Sequence, residues 1–438
     1  MKLTTTQHGA HQDSRRQLLR GLLAGALWSA VGRTLAVPAT KGTAERLPLP
    51  TVQPASYPAV PVPGAVQPLA PGARPAVALP RLSLPDLPEL HRCEYAGNGR
   101  IEAAHAVLLL PSSAATREDA LHLAHDAATK ALAARPQLSE VAVSVYRAEG
   151  YQGFGGPAPL LTASVPRARL AEFVGTALSK AAGYERLWLN PDAVPPAQLS
   201  PSRELEAAPV FVGSLADLAA QRVKQLAAQL VGGTHGGLLF HGRVLGGPAA
   251  ALSFDDAPHP VYAPLLLETL KRAGISATFF CIGRNARAYP YYVRDISEDG
   301  HEIGNHTYHH VRLTGLPADT VEDELKSCNE VLRGITGKPV RFFRPPGGRY
   351  SPQTLDIARA RGLVTTFWTD DPADFNNPGQ SVLESRLARH LRRGGIVLLH
   401  DNVLESVRVL PAFIAYAERS GVKLDTVGDL AGLESSKD

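Results

Sequence analysis

Beyond residue 250 the chain alternates two kinds of apolar pattern. Short strand-like segments, apolar throughout or at alternate positions, lie at 250–254, 277–282, 301–303, 341–343, 363–367, 396–399 and 422–426. Between them, at 265–273, 320–335, 352–361, 381–391 and 407–420, apolar residues recur every three or four positions. Runs of the first kind read as buried strands, and the longer period reads as one face of a helix. Their alternation predicts an α/β fold with a parallel sheet, open or closed into a barrel.

Upstream, the pattern predicts a small α/β module at 91–212. Apolar runs at 106–110, 141–146, 160–165 and 187–189 read as strands. Thr116, with Asp119 three residues on, is placed to cap a helix, and Pro166 opens another through Leu170, Phe173 and Val174. The loop Tyr151-Gln152-Gly153-Phe154-Gly155-Gly156 reads as flexible, although its aromatics would also suit stacking on a sugar. Residues 214–230 read as a linking helix and 232–247 as a joint. The segment 213–242 therefore separates the module from a last domain at 243–438. Ahead of all this, residues 40–90 are dense in proline, from Pro48 to Pro88. A fixed φ and a missing N–H exclude helix and ladder there, and predict an extended spacer.

Length and charge change the picture in two places. A chain of 438 residues exceeds one compact domain, which agrees with a two- or three-part organisation. The formal charge of +4 resides in residues 1–39, where Lys2, Arg15, Arg16, Arg20 and Arg33 face only Asp13. The remainder is neutral, with 40 basic and 40 acidic side chains, and offers no footing for nucleic acid. The leader itself places Arg15-Arg16 before a weakly apolar stretch from Gly21 to Ala36, interrupted by Arg33. That stretch is too short and too polar to span a membrane. It resembles a twin-arginine export signal, cut after Ala39 or Ala36, and implies a periplasmic, envelope or extracellular protein with no transmembrane span in the mature chain. Three cysteines cannot build a disulfide framework. Cys281 and Cys328 fall on apolar positions and read as core.

The candidate chemistry collects at the ends of predicted strands. One strand runs into Asp255-Asp256, another into Arg344, another into His400. In parallel α/β folds the C-terminal rim of the sheet is where catalysis occurs. His306 and His310 are four apart, which on a helix puts both imidazoles on one face. With one carboxylate of the Asp255-Asp256 pair they make a three-ligand site that leaves a position open for water. The second carboxylate is then placed to take that water's proton, and His400 to protonate a leaving amine if an acid such as Asp374 orients it.

These segments resemble the five motifs of the NodB-homology polysaccharide deacetylases, carbohydrate esterase family four, over about residues 243–430. Ser253-Phe254-Asp255-Asp256-Ala257-Pro258 is similar to the first motif, which implies Asp255 as general base and Asp256 as metal ligand. His306-Thr307-Tyr308-His309-His310 is similar to the second, which implies His306 and His310 as the other ligands. Arg344-Pro345-Pro346-Gly347-Gly348 is similar to the third: Arg344 would pair with the base, and the Gly347 N–H would help hold the oxyanion. Asp371-Pro372-Ala373-Asp374-Phe375 is similar to the fourth, with Asp374 orienting the catalytic histidine and Phe375 lining the groove. Leu398-Leu399-His400 is similar to the fifth, with Leu398 at the acetyl methyl and His400 as general acid. The implied fold is a distorted (β/α) barrel of about seven strands, and the implied cofactor is a divalent metal, zinc before cobalt or nickel. Three positions depart from the usual pattern: Ala257 for glycine, with an altered loop φ expected, Gly347 for tyrosine and Phe375 for tryptophan. His301 reads as a packing residue, and His309 as pointing away from the ligand pair.

The resemblance implies removal of N-acetyl groups from an N-acetylhexosamine polysaccharide. Hydrolysis of a small amide, an imide or an O-acetyl ester keeps the same chemistry. A carbohydrate-binding envelope protein would not need the reactive set. Since every reactive group falls beyond residue 250, a chain beginning near Gly232 is expected to be catalytically sufficient.

Overall fold

The computed structural model describes residues 77–111, 116–151, 157–177, 183–191, 223, 226, 228–242 and 248–432. The export signal, most of the proline-rich spacer, the Gln152–Gly156 stretch of the glycine loop and most of the linking helix lie outside the described residues.

The first sheet runs β1 (Leu90–Gly97), β2 (Glu102–Leu110), β3 (Leu138–Arg147), β4 (Leu161–Pro166) and β5 (Leu187–Leu189), in that spatial order. Only β2 and β3 are parallel, and helix α1 (Arg117–Ala134) makes the crossover between them. Thr116 caps α1 as its spacing predicts: its hydroxyl accepts from Asp119 N–H at 3.0 Å, and Asp119 accepts from Thr116 N–H at 3.3 Å. The short α2 (Leu170–Val174) seats Phe173 in the core of this sheet. Strand β1 escapes the sequence pattern because only Cys93 and Ala96 of its eight residues are buried. The end of the spacer is not free: Leu84 and Leu87 pack into the same core, and Arg81 pairs with Glu94.

The second sheet holds eight strands. Seven of them, β7 (Ala249–Ala257), β8 (Thr278–Cys281), β9 (Glu302–Asn305), β10 (Phe342–Phe343), β11 (Val364–Thr366), β12 (Ile396–His400) and β13 (Lys423–Asp425), match the predicted runs. The eighth, β6 (Leu238–Leu239), lies inside the expected joint and pairs with β11, so the barrel begins upstream of residue 243. Two residues carry no period, which hid this strand. The order is β12-β7-β8-β9-β10-β11-β6, with β13 added to β7, and every pairing is parallel. Beyond β11 the chain returns to β12 through an Asp370–Val397 bridge, with Leu398 N–H donating to Asp370 O at 2.9 Å. The sheet thus closes on itself as a distorted barrel.

Helices α3 (Ala263–Ala273), α4 (Gly283–Ala288), α5 (Pro290–Glu298), α6 (Ala318–Thr336), α7 (Pro352–Ala360), α8 (Gln380–His390), α9 (Leu404–Arg419) and α10 (Val427–Ala431) follow the strands. Alternate strand residues enter different cores, as the two-residue period requires. Ala251, Phe280, Phe342 and Ile396 pack with Leu239 and Val427, whereas Leu252, Phe254, Phe279 and Leu399 pack with Leu266, Leu270 and Leu410 of the helices. Cys93, Cys281 and Cys328 are all buried and free.

The two sheets are joined by specific contacts. Asn98 donates to Leu265 O, Glu268 and Thr269 at 3.0, 2.8 and 3.1 Å. Arg186 grips both oxygens of Asp295 at 2.8 Å, and Tyr292 donates to Glu140 at 2.6 Å. Trp188 packs with Tyr289, Tyr291 and Tyr292. The small module is therefore built onto α3, α4 and α5 of the barrel.

Candidate active site

Parallel strands deliver their C-terminal ends to one rim, and five of them carry polar residues there. Asp255 and Asp256 end β7, His306 follows β9, Arg344 follows β10, Asp374 lies beyond β11 and His400 ends β12. All six are at least nine-tenths buried.

Asp256, His306 and His310 converge. Their ligand atoms lie within 4.8 Å of one another, with Asp256 Oδ1 3.1 Å from His310 Nε2 and 3.5 Å from His306 Nε2. The means of convergence differs from expectation. Residues 306–310 form no helix; they are a loop after β9, with Thr307 and His310 at φ 64° and 60°. Left-handed backbone at a β-branched residue such as Thr307 is strained and persists only where neighbours enforce it. Glu324 of α6 does so, accepting from the N–H groups of Tyr308 and His309 at 3.0 and 2.8 Å. Asn305 adds a third tie, accepting from Thr307 N–H at 2.8 Å. His309 faces away from the trio, with its ring bonded to Glu324 at 2.6 Å.

The trio fits a divalent cation. His306 Nδ1 sits 2.8 Å from Arg344 O, so this nitrogen donates to the carbonyl and Nε2 is the ring atom turned to the trio. Burial, then His306 and His400, hold the pKa of His310 well below its ordinary value, so its imidazole is neutral, the ligating form. Burial raises the pKa of Asp256 against the pull of His400 and His306. Asp256 Oδ1 and His310 Nε2 are buried with no hydrogen-bond partner. A cation between them would satisfy both.

A carboxylate pair flanks the trio on each side. Arg344, fully buried, donates to Asp255 at 2.7 Å, to Ser253 at 2.9 Å and to Phe367 O at 3.2 Å, with its guanidinium 4.0 Å from the Phe280 ring. Asp255 Oδ2 lies 3.7 Å from His306 Nε2. On the other side, Asp374 bonds His400 Nδ1 at 2.7 Å and accepts from His400 N–H at 2.8 Å and Ser406 at 2.6 Å. Burial alone would lower the His400 pKa; Asp374 first, then Asp256 and Asp255, overcome it and raise the value to about 10. The Asp374 turn is flanked by left-handed Ala373 and Asn377.

The remaining expected residues stand close by. Phe375 packs edge-on to His400, with centroids 5.5 Å apart, and Leu398 shares the strand face of His400. Gly347 and Gly348 have φ of 65° and 66°, and a Cβ on Gly348 would meet the Trp368 ring at 2.8 Å. At Gly348 a side chain is therefore excluded for steric reasons. Ala257, by contrast, needs no unusual φ: the left-handed residue of the first motif is Asp256, at 69°. His301 packs as expected, accepting from Ala277 N–H at 3.2 Å and tilting against Phe279. Glu324, Ser406 and Asn402, which bonds Asp256, lie outside the motifs and gave no signal in sequence beyond a polar position on a helix or turn.

A trio of metal-ligating atoms, with an arginine-held carboxylate on one side and an acid-held imidazole on the other, is the layout of a metal-assisted hydrolase. Known proteins give the family. The polysaccharide deacetylase profile matches residues 243–366. Peptidoglycan-N-acetylglucosamine deacetylase of Bacillus cereus is 32% identical over 185 residues, which cover 41% of this chain and 86% of the relative. Chitooligosaccharide deacetylase of Azorhizobium caulinodans is 40% identical over 151 residues, 34% of this chain and 72% of the relative. Peptidoglycan-N-acetylmuramic acid deacetylase PdaA of Bacillus subtilis is 32% identical over 183 residues, 41% of this chain and 70% of the relative. The chain belongs to the polysaccharide deacetylase family, the NodB-homology group of carbohydrate esterase family four.

Proposed function

We propose that this protein is a metal-dependent hydrolase that removes N-acetyl groups from an N-acetylhexosamine polysaccharide of the cell envelope. The observation that carries the reading is the trio Asp256–His306–His310 set between the Arg344–Asp255 and Asp374–His400 pairs. The deacetylase names of the relatives support the substrate class.

Asp256 Oδ1, His306 Nε2 and His310 Nε2 would hold the metal, zinc before cobalt or nickel. When bound, the metal supplies Lewis-acid polarisation of the amide carbonyl and a lowered pKa for water. Asp255, fixed by Arg344, would take a proton from the attacking water as the water oxygen adds to the carbonyl carbon. His400 enters protonated, held so by Asp374, and passes its proton to the amine nitrogen as the C–N bond breaks. The products are acetate and the free amino sugar. Gly347 N–H would receive the developing oxyanion, Leu398 the acetyl methyl, and Phe375 the sugar face.

Acetate release from peptidoglycan and from chitin oligosaccharides, with and without chelator, tests the reading. An O-acetyl ester and a small amide serve as comparison substrates. Activity confined to those two, or undiminished by chelation, would overturn it. Export through the twin-arginine route is part of the proposal. Among the described residues no helix is long and apolar enough to cross a membrane. Changing Arg15-Arg16 to Lys-Lys should leave uncleaved protein in the cytoplasm, and normal export of that variant would refute the route.

A further inference from the structure

The two oxygens of Asp256 have different surroundings. Oδ2 accepts from Asn402 Nδ2 at 2.9 Å, while Oδ1 has no hydrogen-bond partner and faces the two histidines. Asn402 belongs to none of the five motif segments; it sits in the turn between β12 and α9. Its own Oδ1 is buried without a partner. An amide offers a donor on one side and an acceptor on the other, whereas an ionised carboxylate only accepts. The nitrogen must therefore face Asp256, and the fold tolerates an unsatisfied oxygen to keep it there. The backbone at Asp256, with φ 69°, fixes where the carboxylate begins but not its rotation about the terminal bond. The Asn402 bond settles that rotation.

We infer that Asn402 is a positioning residue that makes Asp256 a one-oxygen ligand. By occupying Oδ2 it aims Oδ1 alone at the site and keeps the remaining position open for water. This rests on the proposal that Asp256, His306 and His310 hold a divalent metal. Without the donor, Oδ2 is free to turn inward as a second ligating atom, and Asp256 loses its fixed orientation.

The test uses the full chain with zinc and cobalt as probes. Asn402→Leu and Asn402→Ala remove the donor at two different volumes, and Asn402→Ser retains a shorter one. Folding is checked by circular dichroism on the metal-free proteins. Zinc affinity is read by competition with a chelator, and the geometry of bound cobalt by the intensity of its visible band, which weakens as ligands are added beyond four. Loss of a residue that orients a ligand typically lowers metal affinity about 10–100-fold. That loss, with a weaker cobalt band, is expected in Asn402→Leu and Asn402→Ala, and Asn402→Ser should recover part of both. If Asn402→Leu fails to fold, Asn402→Ala decides. A folded donorless variant with wild-type affinity and a wild-type cobalt band would overturn the inference and leave the metal site standing. Wild-type protein that takes up neither ion would overturn both.

Discussion

Cutting the chain at Gly232 isolates the barrel, with every proposed reactive group retained, and the structure predicts that the product is badly destabilised. Tyr289, Tyr291 and Tyr292 are 2%, 1% and 0% exposed. Their cover includes Trp188 of the small module, and Tyr289 and Tyr292 bond to Ser144 and Glu140 of its sheet. Burying a large apolar side chain is worth about 1.5–3 kcal/mol, so exposing three tyrosines forfeits roughly 5–9 kcal/mol at most. The figure is an upper bound because Ala263 and Ala288 of the barrel also contact these rings. Loss of the Arg186–Asp295 pair and the three Asn98 bonds adds to it. The total approaches the whole stability of an ordinary domain, about 5–15 kcal/mol. The shortened protein should therefore be poorly soluble, bind a hydrophobic dye and melt well below the full chain, despite the sufficiency that sequence alone suggests. The checks are a thermal melt, dye binding and acetate release from a short acetylated oligosaccharide. A soluble Gly232 product that melts within a few degrees of the parent and deacetylates at the parent rate would refute the reasoning.

Three further outcomes are expected. Asp256→Ala should lose metal and activity together, whereas Asp255→Asn should keep metal and lose about 10²–10⁴-fold in turnover, measured by metal content and acetate release. Arg344→Ala leaves the Asp255 carboxylate buried without its cation, and breaking such a pair costs about 3–5 kcal/mol; chemical denaturation should report a loss of that size. Burial raises the Glu302 pKa to about 7, against hydrogen bonds from Thr278 and Gly428 that favour the ionised form. The folded state therefore binds the extra proton between about 4.5 and 7, so this group's contribution is full below 4.5 and lost as pH rises through 7. Glu302→Gln keeps an acceptor and should remove that decline; equal pH dependence in both proteins would contradict the assignment.

The sequence by itself determined the strand–helix alternation, the parallel sheet and the polar residues at strand ends. Those properties are written in contiguous segments: a strand's apolar run and the Asp255-Asp256 or His400 that ends it lie side by side in the chain. The same holds for the five motif segments and for the Thr116 cap. Tertiary structure alone decided how the site is held. His306 and His310 meet through a strained loop and not along a helix, because Glu324 reaches back from α6 to bind its N–H groups. Asp256 is oriented by Asn402, 146 residues away. Neither partner differs in sequence from any polar residue on a solvated helix or turn, since a hydrogen bond between distant segments leaves no periodic trace. The module's attachment was hidden for the same reason. Tyr289, Tyr291 and Tyr292 fall in a segment to which the sequence pattern assigns no element, and only docking shows that they bury against a second sheet. Local pattern thus names the reactive groups, while long-range packing sets their geometry and the size of the folding unit that supports them.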